Sequence, residues 1–360
     1  MTAPSLLPSL ASGARILIIR LRSIGHIVLL TPALRLLKEW RPDLYTSVVV
    51  EPRFRELLDG HPDVDEVLDP GCGTGWEKTA SRLRAVREFR RRDFSLCLNL
   101  HGGPTSTVLT SLSGARSRAG FEHFRARPVY DFLIPDARTI LGQPVIHTAE
   151  HQASAFFWLG LPRRKVPRSR LFVAADCEVW WRTKRIGLGV LAGREYAMLH
   201  PTPLYASKQW TAENFARLGA YLEGEAGLVP VYTCGQGESA VLDAVERAAG
   251  VPIRRLEGAS LGEFLAVLAG ARFFLGNDSG PAHIAVALGR PSLVIFGSSS
   301  SQTWGPWPRD GPGHVVQNFW ECNPCPGDRC YRFAQPECIL SVRFEQVRAA
   351  LDAALRAVDS

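Results

Sequence analysis

Short β-branched apolar runs alternate with amphipathic stretches twice over along this chain, and that alternation leaves few folds open. In the first half the strand candidates are Arg15–Arg20 (RILIIR), Thr46–Val50 (TSVVV) and Leu96–Leu100 (LCLNL). Each lies beside a helical pattern: Pro32–Trp40 after the first, Arg53–Leu58 after the second, Thr79–Arg92 before the third. A second series runs Tyr196–His200 (YAMLH), Val229–Thr233 (VPVYT), Arg272–Leu275 (RFFL) and Ser292–Phe296 (SLVIF). Its helical spacings cover Ala212–Glu223, Ser239–Ala249 and Leu261–Leu268. Apolar strands alternating with helices are the mark of βα units and parallel sheets. Two such series predict an α/β chain of two Rossmann-like doubly wound domains. The Pro- and Arg-rich stretch Pro162–Arg170 has no apolar period and predicts a linker. The domains are then expected at 14–170 and 171–340, with a closing helix over 341–360.

A chain of 360 residues, 46% of them hydrophobic, can bury two cores without disulfide staples. No uncharged apolar run reaches the roughly 18 residues a conventional membrane-spanning helix needs. Met1–Ala14 lacks the charged start and long apolar core of a signal peptide, so it reads as a disordered lead-in to a cytoplasmic protein. Charge is unevenly placed. Residues 1–170 hold 25 Lys and Arg against 16 Asp and Glu, and residues 171–360 hold 17 against 19. The first half is therefore expected to meet something anionic, with Arg82, Arg84, Arg87, Arg90, Arg91 and Arg92 as its densest run. A solvated helix face is the plainer account of such a run, and a membrane surface or phosphorylated acceptor the sharper one. Nucleic acid is not expected, because no aromatic-interleaved basic motif accompanies the charge.

The most informative stretch is Phe274–Gly297, FLGNDSGPAHIAVALGRPSLVIFG. A strand ends at Leu275, Gly276–Gly280 makes a tight turn, and Pro281 suits a first helical position. The short helix His283–Leu288 then stops at Gly289. Strand, small-residue turn and helix N-terminus together expose free N–H groups, which is a seat for a diphosphate. Asp278 and His283 fall at the strand's carboxyl edge, where open α/β sheets bind ligands. A plain helix cap would account for Asp-Ser-Gly alone; His283 one turn in tips the reading toward function. The first half opens comparably: after Arg15–Arg20, Gly25 permits close backbone approach and His26 starts a helix. Further candidates follow strands as well. These are Thr202 and Lys208 in the stretch after His200, Glu238 in the turn after Thr233, and His101-Gly102-Gly103 after Leu100.

RILIIRLRSIGHIVLLTPALRLLKEWRPD, KQWTAENFARL, EGASLGEFLAVLAGARFFLGNDSGPAHIAVALGRPSLVIFG and the trailing Cys cluster together resemble glycosyltransferase family 9, the lipopolysaccharide heptosyltransferases. The resemblance runs in order along nearly the whole chain. It implies a GT-B fold whose two domains face each other across a cleft, an ADP-heptose donor on the second domain and a sugar acceptor on the first. It also implies inversion at the anomeric carbon without a catalytic metal. By matched position Lys208 contacts the donor phosphates, Ser279 and Gly280 offer N–H groups to the diphosphate, and Asp278 and His283 hold sugar and phosphates. Thr202 matches less closely because its spacing to Lys208 differs by one residue, and Glu238 matches a ribose-binding carboxylate only loosely. One departure matters: where members typically carry Gly-Asp, with the Asp as general base, this chain has Gly25-His26. Imidazole, with an ordinary pKa of about 6.5, can take the acceptor hydroxyl's proton if neutral.

Of eight cysteines, four cluster as Cys322-x2-Cys325-x4-Cys330-x7-Cys338. In a reducing compartment this spacing favours a tetrahedral thiolate site for Zn or Fe over disulfides. The expected role is structural, stapling the loop 318–339; the resemblance includes a branch that glycosylates autotransporter proteins, where a structural iron is implied. Cys72, Cys97, Cys177 and Cys234 are expected to be small buried hydrophobes. The leading expectation is thus an inverting transferase moving a heptose from ADP-heptose to a lipopolysaccharide-core-type acceptor. That acceptor is an anionic saccharide or glycolipid met at the inner-membrane surface. The alternatives are a protein O-heptosyltransferase, a catalytically silent sugar-nucleotide-binding scaffold, and a GT-B epimerase.

Overall fold

A computed structural model describes residues 4–325 and 327–359. The chain forms two compact units, Met1–Phe172 and Val173–Ser360. In the first, six parallel strands pair: β1 (Arg15–Ile19), β2 (Tyr45–Val49), β3 (Glu66–Leu68), β4 (Leu96–Asn99), β5 (Ser117–Phe121) and β6 (Phe132–Ile134). Their order is β3-β2-β1-β4-β5-β6. The second unit repeats the arrangement with β7 (Tyr196–His200), β8 (Val229–Thr233), β9 (Arg255–Leu256), β10 (Phe273–Asn277), β11 (Ser292–Phe296) and β12 (Gly313–Gln317). These lie in the order β12-β11-β10-β7-β8-β9. Renumbered within each unit, both sheets read 3-2-1-4-5-6, the Rossmann winding. The winding reverses between β1 and β4 in one unit and between β7 and β10 in the other, with Ile19 opposite Asn99 and Gly276 opposite His200. Those two points are where such sheets bind ligands.

Burial explains why these segments are strands. The central strands are closed to solvent on both faces, Ile16–Ile19 and Phe273–Leu275 having no exposure at all. Helices then cover both sides, each contributing an apolar stripe. In the second unit Phe215, Leu218 and Leu222 of helix Ala212–Gly224 pack with Val347, Leu351 and Ala354 of the terminal helix Phe344–Asp359. Trp210 is buried there too, and its indole N–H donates to the Val342 carbonyl at 2.7 Å.

The structure revises several expectations. Residues 4–14 are not a disordered lead-in: they carry a helical turn, Leu6–Ser9, with Leu7 buried. The Leu7 N–H donates to Leu159 O, and the Arg41 guanidinium donates to the carbonyls of Leu7 and Leu10 at 3.0 Å each. The strands β3, β5, β6, β9 and β12 lacked a clear apolar run; most are short and lie toward sheet edges. Helix Gly280–Ala287 begins three residues before His283, with Pro281 in its first turn. Among the scattered cysteines only Cys97 is buried; Cys177 and Cys234 are half-buried and Cys72 is exposed. Among the described residues no helix is long and apolar enough to cross a membrane.

Candidate active site

In the second unit, β7 and β10 deliver their outgoing turns side by side. Gly276 makes this possible, since a Cβ there would meet the His200 carbonyl at 2.9 Å. Asn277, the last residue of β10, is fully buried and braces the neighbouring turn: its Oδ1 accepts from the Trp210 N–H at 3.1 Å and its Nδ2 donates to Pro201 O at 3.0 Å. Thr202 and Lys208 lie on that braced turn. Lys208 Nζ donates to Asp278 Oδ2 at 2.8 Å, joining two of the expected site residues in a largely buried ion pair.

Helix Gly280–Ala287 starts directly after Asp278, and its N-cap Ser279 makes no side-chain capping bond. Ser279 Oγ and His283 Nδ1 are both buried with no hydrogen-bond partner among the described residues. Burial, then Lys208 nearby, pushes the His283 imidazole down to about 4 against the opposing pull of Asp278, so it is neutral at pH 7. An uncapped helix start, an ammonium and two orphaned polar atoms suit a ligand that is anionic and rich in oxygen. Thr202 is buried, with its Oγ1 3.0 Å from His200 Nε2, while His200 Nδ1 lies 3.1 Å from Thr233 Oγ1. Burial holds His200 near 4 as well. Glu238 stands at the tip of β8's outgoing turn, where its Oε2 accepts from the Gly235 N–H at 2.8 Å.

Beside this turn runs the cysteine-rich loop. Cys322, Cys325, Cys330 and Cys338 line one cavity of about 40 Å³, together with Ser207 and Ser298. Burial and the other three cysteines push the Cys338 thiol up to about 11. Yet among the described residues no group of three or more His, Cys, Asp or Glu side chains is arranged to hold a metal ion. The loop is tied to the sheet edge: Cys325 N–H donates to Ser298 O at 3.1 Å, and Asn323 Nδ2 donates to Gly297 O.

In the first unit, β1 leads into helix Ile24–Val28, which carries Gly25 buried and His26 half-buried. His26 Nδ1 lies 3.2 Å from Ser23 Oγ, and the buried Gln152 donates to the His26 carbonyl at 2.9 Å. Across the switch point Asn99 ends β4 and accepts from the N–H groups of His101 and Gly102 at 2.9 and 3.1 Å. His101 is half-buried; burial, with Arg20 and Arg22 adding to it, lowers it to about 4. Arg20 is the residue that sequence reasoning missed. Its guanidinium is buried, donates to Leu100 O, and leaves Nε without a partner among the described residues. Burial lowers its pKa to about 9. An Arg at the carboxyl tip of an otherwise apolar strand (RILIIR) was the available signal. The arginine run is less free than its density implies: Arg82 donates to Thr105 Oγ1, Arg90 to Leu112 O, and Arg92 to Glu66 and Glu88. Arg84, Arg87 and Arg91 remain exposed.

The model of glycosyltransferase family 9 (heptosyltransferase) matches residues 82–330 of this chain. The chain belongs to that family. It is therefore a glycosyltransferase, and its paired Rossmann-type units are the GT-B architecture. Lipopolysaccharide heptosyltransferase 3 of Escherichia coli K12 is 26% identical over 313 residues, spanning 84% of this chain and 87% of that relative. Among solved structures, a family 9 glycosyltransferase from Veillonella parvula superposes with a TM-score of 0.79 at 19% identity, covering 99% of this chain and all of that one. The E. coli heptosyltransferase WaaC with ADP-2-deoxy-2-fluoro heptose gives 0.68 at 19% identity, covering 94% and 99%. The iron-containing dodecameric glycosyltransferase TibC from enterotoxigenic E. coli gives 0.58 at 16% identity, covering 97% and 78%. For this family 9 enzyme, the residues placed together are Lys208, Asp278, Ser279, Gly280 and His283, with Thr202 on the same braced turn. His26 lies on the other unit and Glu238 at the next strand tip.

Proposed function

We propose that this family 9 transferase moves a heptose from ADP-heptose to a saccharide acceptor of the lipopolysaccharide core, with inversion. The observation that carries this is the Lys208–Asp278 pair beside two orphaned polar atoms at an uncapped helix start. In this reading the acceptor hydroxyl attacks the anomeric carbon as the bond from that carbon to the diphosphate oxygen breaks. The electron pair leaves with ADP, and the hydroxyl proton passes to His26. Lys208 neutralises the departing diphosphate as a point charge, and the N–H groups of Ser279 and Gly280 meet its oxygens. Neutral His283 and Ser279 Oγ hydrogen-bond the donor sugar and phosphates, while Asp278 holds Lys208 in place. Thr202 offers a hydroxyl to the same donor, and Glu238 reaches the ribose. Calorimetric titration with ADP, UDP and GDP tests the donor class: tighter binding of ADP is expected, and a preference for UDP or GDP overturns the heptose donor.

The first unit, in this reading, binds an anionic acceptor. Arg20 supports it, since a buried guanidinium that meets no carboxylate among the described residues is costly until an anion arrives. The acceptor is a glycolipid met at a cytoplasmic membrane face, and helix Gly75–Arg91 supports that contact. Trp76 is 89% exposed, and Leu83, Arg84, Arg87 and Arg91 are exposed along the same helix. An aromatic anchor with basic neighbours suits an anionic lipid surface. Sedimentation with phosphatidylglycerol vesicles at low salt should carry the protein down, phosphatidylcholine vesicles should not, and equal recovery from both would count against membrane docking.

The four-cysteine loop is read as a structural metal site. Four thiols around one cavity fit a soft ion in donor type, and the likeness to an iron-containing fold neighbour points the same way. Cys322, Cys325, Cys330 and Cys338 would hold Zn or Fe, which would supply a cross-link within the loop and no step of sugar transfer. Metal analysis of protein purified without added metal tests this; a metal-free sample with an unchanged melting temperature overturns it.

A further inference from the structure

We infer that the cysteine-rich loop positions Lys208 for the donor's diphosphate, with Ser207 as the positioning residue and Gly327 as its point of contact. The inference rests on the reading of Lys208 as a diphosphate ligand and names what holds that lysine ready. Ser207 is buried, directly precedes Lys208 in the turn Ala206–Lys208, and donates its hydroxyl hydrogen to the carbonyl of Gly327. Ser207 Oγ also lies 3.4 Å from Ser298 Oγ.

Gly327 also lies beside the lysine's stem. A Cβ there would stand 3.5 Å from Lys208 Cε and 3.4 Å from Ser298 Oγ, and its φ of +88° is one that side-chain-bearing residues rarely adopt. The loop is anchored independently of the lysine, through Cys325 to Ser298 O and through Asn323 to Gly297 O. Ser207 and Ser298 also line the cavity that the four cysteines share. The thiol cluster, the outgoing turn of β11 and the turn bearing Lys208 are thus one connected unit.

The physical reason for such a strap lies in lysine's stem. Four rotatable bonds let an ammonium wander, and Asp278 fixes only its head. When a diphosphate arrives, the head must serve a second anion, and a turn held by the loop keeps it in reach. The strap pre-organises the charge before the leaving group needs it.

Calorimetry with ADP and AMP tests this on the full-length protein, because the β-phosphate is the group Lys208 should feel most. Wild type should prefer ADP. Ser207→Ala should weaken ADP about tenfold while leaving AMP affinity and the melting temperature near wild type. Paired Cys330→Ser and Cys338→Ser changes should cost ADP a similar factor in wild type and add little to Ser207→Ala, since both act through one connection. The strap is overturned if Ser207→Ala keeps the full ADP preference, loses ADP and AMP alike, or adds fully to the cysteine changes. Lys208→Ala separates the strap from the donor-site reading. If that variant loses the preference while Ser207→Ala keeps it, the strap alone falls; if Lys208→Ala keeps it, both fall.

Discussion

Two buried asparagines occupy equivalent places in the two units and do different work. Asn99 ends β4 and Asn277 ends β10, each the fourth strand of its own Rossmann winding. Asn99 gives its oxygen to the N–H groups of His101 and Gly102, bracing its own outgoing turn, and its nitrogen to Ser106 and Tyr130. Asn277 reaches sideways to Trp210 and Pro201, bracing the turn of the next strand. In the second unit Asn277 couples the two turns at the switch point, whereas in the first Arg20 joins them, donating from the tip of β1 to the Leu100 carbonyl past β4, and the His26 turn is tied further through Gln152. A shared winding thus fixes where a ligand goes, while the group that joins the two turns differs: a neutral amide in the second unit and a buried guanidinium in the first. In the proposed reaction the second unit seats the donor on both of its turns and the first supplies a base from one.

The sharpest way to test this division is to remove one acting group from each side. His26→Ala should lower kcat by about 10²–10⁴ and leave ADP affinity near wild type, as expected for a lost general base. Unchanged turnover would remove His26 from the mechanism. Lys208→Ala should lower kcat/KM by about 10²–10³ and weaken ADP as well, because it acts on the leaving group. If both variants altered only donor binding, the assignment of base to one unit and donor to the other would fail.

The asparagines themselves come next in size. Asn277→Ala strands the Trp210 N–H and the Pro201 carbonyl, at about 1–3 kcal/mol for each buried group left unmade. It should lower the melting temperature and raise the donor KM together. Asn99→Ala should lower the melting temperature comparably and leave ADP affinity unaltered. Equal damage to ADP binding from both would erase the contrast.

A further effect is one the units share. His101 and His151 in the first, and His200 and His283 in the second, are each held near 4, by burial above all. Unfolded, each takes a proton at about 6.5. Between those values, lowering the pH protonates the unfolded chain and not the folded one, so this contribution is complete above about pH 6.5 and is lost toward pH 4. Thermal melts should fall progressively across that window, and His200→Gln should make the fall shallower. A flat profile from pH 7 to 4.5 would contradict the neutral state of these rings.

Much of this was legible in the sequence, and the reasons are physical. Strands such as Val229–Thr233 and Ser292–Phe296 are buried on both faces, so their apolar runs carry no ambiguity. The Asn277–Gly280 turn was readable because small residues between strand and helix have few other uses. Edge strands escaped: in Gly313–Gln317, His314 and Val315 are exposed and no unbroken apolar run results. Arg20 escaped because its role comes from what surrounds it, the strand tips of β1 and β4, and not from its neighbours in the chain. The strap at Gly327 was hidden for the same reason, since 120 positions separate the partners Ser207 and Gly327.

The opening residues have a practical consequence for anyone engineering the chain. Trimming to Ala14, a natural choice if those residues were a floppy leader, would delete the leucine seated under Leu159 and take from the Arg41 guanidinium the carbonyls it binds. Gly160 would lose its packing partner as well, for a side chain there would collide with Pro8 at 2.6 Å. This short clasp fastens the start of the chain to the end of its first unit, so a fusion tag belongs ahead of it and a truncation point has no place within it.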